Sequence, residues 1–188
     1  NESNGRGSGI YARNNQTKDV YLLCANTTFT GNRCGSVGSA INLYGAAAKK
    51  TVADVVSCTI TGNISKHETN CAALCCETAG TTMNVYNTIC AGNKTASGAV
   101  CDAFNKAGTM THKYSFVGAD YYGADAAVAT VTPAFDFATM LGQLADNGGD
   151  TKTIKLVGNA SSNPAFGNGM AVADLKALAN GSVSADAL

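Results

Sequence analysis

Three side chains of complementary chemistry stand at one phase of a repeating pattern. Arg13, Tyr44 and Glu77 each lie three residues beyond an aliphatic position, which is Ile10, Ile41 and Leu74 in turn. If those aliphatic residues face inward on extended strands, alternation turns the third position outward. Stacked strands lie about 4.8 Å apart, so Arg13 and Glu77 would sit near 10 Å apart with Tyr44 between them. A flat row of cation, aromatic ring and acid suits holding a sugar. It does not suit cutting one, because glycoside hydrolysis usually takes two carboxylates roughly 5–9.5 Å apart. The row supplies only Glu77, and Asp54 belongs to a different part of its repeat. Tyr121 and Tyr122 form a second candidate surface, a stacking platform beside Asp120 and Asp125.

The remaining candidates are weaker. No G-x-S-x-G, phosphate-loop or H-E-x-x-H pattern occurs. His67 and His112 lie far apart and read as surface histidines on inserted loops, since neither falls in a Cys or carboxylate constellation of the sequence. Asp146-Asn147-Gly148-Gly149-Asp150 lacks the alternating acids of a calcium loop and reads as a turn. The eight cysteines all fall within the first 101 residues, and Cys71-x3-Cys75-Cys76 is not a zinc spacing. They read as small buried fillers of a narrow core, most of them reduced, with a disulfide set as the alternative. No metal site and no cofactor is expected. Six Asn-x-Ser/Thr sequons, at Asn15, Asn26, Asn63, Asn93, Asn159 and Asn180, follow from composition rather than from glycosylation.

Such residues need a scaffold, and the repeat supplies it. Gly7-Ser8-Gly9-Ile10 runs on to Phe29-Thr30-Gly31-Asn32, and Gly38-Ser39-Ala40-Ile41 to Ile60-Thr61-Gly62-Asn63. Cys71-Ala72-Ala73-Leu74 runs on to Cys90-Ala91-Gly92-Asn93, and Ser97-Gly98-Ala99-Val100 to Phe116-Val117-Gly118-Ala119. The aliphatic-to-Asn gap is 22, 22 and 19 residues, then 19 to Ala119. Between the anchors lie short stretches rich in Val, Ile and Thr, and no long 3.6-residue apolar period. Each repeat is then one turn of strands, unable to bury its inner face alone, and stacked turns share a core. Gly31, Gly62 and Gly92 would occupy one corner needing positive φ. Asn32, Asn63 and Asn93 would stack there as an amide ladder. In this register Asp102 points inward, a sign that the fourth turn is slipped.

Composition agrees. Of 188 residues, 45% are hydrophobic but only 14% are charged, against roughly 25% in ordinary domains. Ala, Gly, Thr and Asn together make 90 residues, which suits narrow layers and tight turns better than helical packing. Thirteen basic residues balance thirteen acidic ones, so nucleic acid is not an expected partner. No stretch of 18 apolar residues could span a membrane as a helix.

The paired Gly-Ser-Ala-Ile and Phe-Thr-Gly-Asn elements resemble the GGAI and FxxN repeats of polymorphic outer-membrane proteins. Leu141-Gly142-Gln143-Leu144-Ala145-Asp146-Asn147-Gly148-Gly149-Asp150-Thr151-Lys152-Thr153 is similar to the LGPLADNGG-x-T-x-T stretch of the choice-of-anchor family of bacterial surface β-helix proteins. Ser162-Asn163-Pro164-Ala165-Phe166 is similar to that family's SPAID segment, with Asn163 inserted. The resemblance covers about residues 7–170 and implies a secreted or bacterial cell-surface protein with no catalytic residues.

The expected architecture is all-β, a single-stranded right-handed parallel β-helix with an irregular C-terminal cap. Its turns occupy 1–134, with repeats near 7–32, 38–63, 71–93 and 97–119, and 135–188 closes the same domain. No capping element precedes Gly5, as expected of the C-terminal part of a longer protein. The expected role is non-enzymatic: adhesion, or binding of host or cell-wall glycans or surface proteins. The alternative is the C-terminal part of a carbohydrate-active β-helix enzyme whose catalytic turns lie elsewhere. Oligomeric state stays open.

Overall fold

Two backbone positions take the left-handed conformation in every one of the four turns, and they set two corners of the coil. Gly31, Gly62, Gly92 and Gly118 have φ between 60° and 75°. A second set, Asn26, Ser57, Asn87 and Tyr114, has φ between 48° and 52°. Between the corners, β-branched and small residues extend as strands. The computed structural model of the chain describes residues 1–46, 48–69 and 72–178, and the strands stack as a parallel β-solenoid of about four turns.

The first turn comprises β1 (Glu2–Ser3), β2 (Ile10–Arg13), β3 (Val20–Ala25) and β4 (Thr28–Thr30). The second comprises β5 (Arg33–Cys34), β6 (Ile41–Tyr44), β7 (Thr51–Val56) and β8 (Thr59–Thr61). The third comprises β9 (Ile64–Ser65), β10 (Leu74–Cys76), β11 (Thr81–Tyr86) and β12 (Ile89–Cys90). The fourth comprises β13 (Lys94–Thr95), β14 (Ala103–Asn105), β15 (Thr109–Lys113) and β16 (Ser115–Val117). Successive turns pair in parallel to give sheet A (β1, β5, β9, β13), sheet B (β2, β6, β10, β14), sheet C (β3, β7, β11, β15) and sheet D (β4, β8, β12, β16). The chain continues through β17 (Asp120–Tyr122), β18 (Val128–Ala129), α1 (Phe137–Met140), β19 (Leu141–Ala145), β20 (Thr153–Leu156) and α2 (Val172–Leu178).

Alternation sorts each strand into core and surface. Sheet B sends Ile10, Ile41, Leu74 and Ala103 inward as one register column, and sheet C sends Cys24, Val55, Val85 and His112. With Phe29, Ile60 and Cys90 from sheet D these form one continuous apolar core through the first three turns. The seven described cysteines are all buried, and Cys24, Cys58, Cys75, Cys76 and Cys90 are free thiols. Cys71 lies outside the described residues. Burial pushes the Cys24, Cys75 and Cys76 thiols up to about 12 and that of Cys58 to about 11.

At the glycine corner the asparagines bond to one another. Asn32 donates from its backbone N–H and its Nδ2 to Asn63 Oδ1, at 3.1 and 2.8 Å. Asn63 donates in the same two ways to Asn93 Oδ1, again at 3.1 and 2.8 Å. The ladder reaches further at both ends than the repeats foretell. Asn1, 31 residues before Asn32, donates to it at 3.2 Å. At the other end Asp102, not Ala119, receives both bonds from Asn93, at 2.9 and 2.8 Å.

The fourth turn is therefore shifted from its expected register. Ala103, not Val100, pairs with Leu74, and Val100 is 72% exposed. Residues 96–99 form a small loop that brings Val100 back antiparallel to Lys94, with Cys101 N donating to Asn93 O. This return covers the β13 edge of sheet A, and the antiparallel β17 covers the β16 edge of sheet D. Within residues 135–178 the closing segment packs along the outside of the coil. Phe135, Phe137, Met140 and Leu141 pack on Ile89, Ala91 and Phe116, the outward residues of sheet D. Met170 and Leu175 pack on Val56 and Tyr86, outward residues of sheet C. The Asp146–Asp150 stretch is the turn joining β19 to β20, with Gly148 N donating to Asp146 Oδ1 and Gly148 at φ 93°.

Candidate functional site

The outward face of sheet B carries two side-chain columns. One is Tyr11, Asn42, Cys75 and Phe104, in paired register. The other begins with the pair Arg13 and Tyr44. It continues one residue past the next strands with Glu77, whose N–H donates to Leu43 O, and Lys106, whose N–H donates to Cys76 O. The structure thus brings Arg13, Tyr44 and Glu77 into one row, each on its own turn.

Glu77 is almost buried, at 6% exposed. Arg6, on the loop between β1 and β2, donates Nε to Glu77 Oε2 at 2.7 Å. Asn42 donates Nδ2 to the same oxygen at 3.2 Å, and Lys106 Nζ stands 3.9 Å from Oε1. The bond to Glu77 raises the Arg6 pKa above its ordinary value. Two guanidiniums flank one ring: Arg6 at 5.4 Å and Arg13 at 5.3 Å from the Tyr44 centroid. Tyr11, 40% exposed, is tilted against Tyr44 with centroids 6.5 Å apart. The inner part of the face is closed over by Val37 and Ala72, which pack with Cys75 and Phe104.

At the corner between sheets B and C the row opens into a cleft of about 490 Å³ lined by Arg13, Asn14, Asn15, Gln16, Tyr44, Gly45 and Ala46. Asn14, 2% exposed, organises it. Its Nδ2 donates to Lys49 O, and its Oδ1 accepts from the backbone N–H groups of Gln16 and Ala46. Gly45 is required here, because a Cβ would lie 2.5 Å from Asn14 Nδ2.

The other candidates lie elsewhere. Tyr121 and Tyr122 point to opposite sides of β17, as strand alternation demands, and make no common platform. Tyr121 is 8% exposed, stacked 4.9 Å from Phe116, and its hydroxyl donates to Asn168 O. It is a core residue beneath Phe135 rather than a binding surface. Tyr122 lies 4.9 Å from the ring of His112. His112 corrects a second expectation: it belongs to the inward column of sheet C, not to a surface loop. Its Nδ1 is buried without a partner, and burial pushes its pKa down to about 4. His67 does sit on the loop after β9, its Nδ1 accepting from Thr69 N. Asp54 is buried on the outside of sheet C, bonded by Tyr21 and Asn84. Asp120 is exposed at the far end, and Asp125 closes a turn by accepting from Ala127 N. Among the described residues no three His, Cys, Asp or Glu side chains group as metal ligands. Among them, too, no helix is long and apolar enough to cross a membrane.

Sequence reasoning reached the row but missed Arg6, Tyr11, Asn42 and Lys106. Tyr11 and Asn42 were within reach, being one residue beyond Ile10 and Ile41. Lys106 would follow from registering the fourth turn on Ala103. Arg6 carries no signal, because a loop brings it across from a neighbouring strand.

No protein-family model matches the chain, and no curated protein or solved structure matches it.

Proposed function

We propose that this solenoid is a non-enzymatic carbohydrate-binding module of a secreted or bacterial cell-surface protein, acting in adhesion through the outer face of sheet B. The observation that carries this reading is the state of the face's one carboxylate. Glu77 is bonded by Arg6 and Asn42 and approached by Lys106, so it braces the row and is not presented to a ligand. Neither column holds a second acid with which it could share the proton transfers of glycoside cleavage. What the face does present is aromatic and cationic: Tyr11, Tyr44 and Arg13. Tyrosine rings offer sugars an apolar plane with a polar edge. The resemblance of the repeats to bacterial surface β-helices supports the location.

Affinity electrophoresis against a panel of neutral and acidic polysaccharides tests this reading, with reducing-end and unsaturated-product assays on the same samples. Retardation by at least one polysaccharide, weakened about five- to thirtyfold in Tyr44→Ala, is expected, since a stacked ring contributes on the order of 1–2 kcal/mol. Turnover that disappears in Glu77→Gln would instead establish the carbohydrate-active enzyme.

A further inference from the structure

Resting on the reading that this face binds carbohydrate, we infer that the sugar it selects is a uronic acid, whose carboxylate is received by Arg13 in the cleft at the corner of sheets B and C. Two guanidiniums lean on Tyr44, but they are in different electrostatic situations. Arg6 is neutralised by Glu77 at 2.7 Å. Arg13, at the same distance from the ring, meets no carboxylate among the described residues. Among the described residues the face has three cations, Arg6, Arg13 and Lys106, against Glu77 alone, in a chain whose net charge is zero. An exposed arginine braced on an aromatic ring is ordered before any ligand arrives. Its planar fork matches a carboxylate in two parallel hydrogen bonds.

The cleft beside it has the size and lining of a sugar subsite. Its volume of about 490 Å³ falls within the ordinary range for small-molecule sites. Tyr44 forms one wall. Asn15 and Gln16 also line the cleft, and amides suit the hydroxyls of a pyranose. Gln16 holds φ 71°, a backbone conformation uncommon outside glycine. The strain is held by the hydrogen bond from its N–H to Asn14 Oδ1, at 3.2 Å. Such positions persist where surrounding structure over-determines them, and they cluster at ligand sites. Nothing in the cleft repels an anion, because its lining contains Arg13 and no acid.

The test uses the full chain and three matched oligosaccharides: oligogalacturonate, its fully methyl-esterified form, and the neutral oligogalactan, titrated calorimetrically. Poly-glutamate and a sulfated galactan serve as further arms. The expected result is that oligogalacturonate binds at least about tenfold tighter than the ester and the neutral chain, a difference ordinary for losing a hydrogen-bonded charge pair. Arg13→Gln should remove that preference, Arg13→Lys should restore only part of it, and Tyr44→Ala should weaken all three sugars. Equal binding of acid, ester and neutral chains overturns the uronate inference and leaves the carbohydrate reading standing. Acid preference that survives Arg13→Gln overturns the assignment to this cleft. Tighter binding of the sulfated galactan identifies a general anion site and overturns selection of a carboxylate. Binding of poly-glutamate alone, or of nothing in the panel, overturns the carbohydrate reading itself.

Discussion

Two titratable side chains on the last turn, the buried Asp102 and the half-buried His112, pull stability in opposite directions with pH. Asp102 ends the asparagine ladder, and a neutral amide would serve there as well. Its Oδ1 accepts twice from Asn93, while Oδ2 is buried with no partner. Burial raises the Asp102 pKa against the lowering effect of those bonds. A raised carboxyl pKa stabilises the fold at pH below the unfolded value, about 4, and that contribution is lost as pH rises through the folded value. His112 acts the other way. Its folded pKa of about 4 lies below an unfolded value of roughly 6.5, so its contribution is intact above pH 6.5 and is lost as pH falls toward 4. The linked change is on the order of 3 kcal/mol. Urea denaturation across pH 4 to 8 should therefore show the difference between wild type and His112→Leu changing steeply below pH 6.5. Asp102→Asn should be as stable as wild type or more so at pH 7, since Asn keeps the acceptor and removes a buried charge. A His112→Leu difference that is constant across the range would show that the imidazole is solvated in the folded protein.

At the scale of elements, what could be foreseen depended on whether a segment repeats. The first three turns are legible because the glycine corner forces its residue types: glycine at positive φ, then asparagine with both its amide oxygen and nitrogen used. The fourth turn misled because Ser97-Gly98-Ala99-Val100 imitates the strand-entry motif while serving as an antiparallel return against β13. The outer strap, from Phe135 onward, repeats nothing, so no periodicity shows which face it covers. Its attachment to sheet C is nevertheless specific: Leu175, 1% exposed, seats against Val56 and Tyr86, and Met170 N donates to Asn87 Oδ1 at 3.0 Å. A seven-residue helix is too short to persist in water alone. Leu175→Ala, a truncation costing about 2–4 kcal/mol in a packed site, should then release the strap and not the coil. Limited proteolysis should cut the variant faster between Gly158 and Ala171, with the global unfolding midpoint little changed. A midpoint that falls without faster local cleavage would show that α2 unfolds only with the whole.

The whole molecule has one interior and few charges, and the way its turns share that interior decides how it unfolds. Solenoids behave as rows of units coupled to their neighbours, and long ones can lose one end before the other. Here the row is short, and the core runs unbroken from Ala12 through Leu43, Leu74 and Cys76, with residues of the first three turns in one cluster. The asparagine ladder ties the same turns along a corner, each amide bonding the next. Sheets A and D are closed at the fourth turn by antiparallel returns, which removes two of the edges where fraying would begin. Coupling of that kind predicts one cooperative transition. Leu74 is the place to test it, being fully buried in the third turn and paired to Ile41 on one side and Ala103 on the other. Leu74→Ala should cost about 2–5 kcal/mol. For a chain of this length that lowers Tm by roughly 5–15 °C. The shift should be the same by far-ultraviolet circular dichroism and by tyrosine fluorescence. It should also be the same for amide protons of β3 in the first turn and β15 in the fourth, followed by hydrogen exchange near the midpoint. A variant in which β3 retains wild-type protection while β15 loses it would show that the turns melt in sequence, with the interface between the second and third turns as the break.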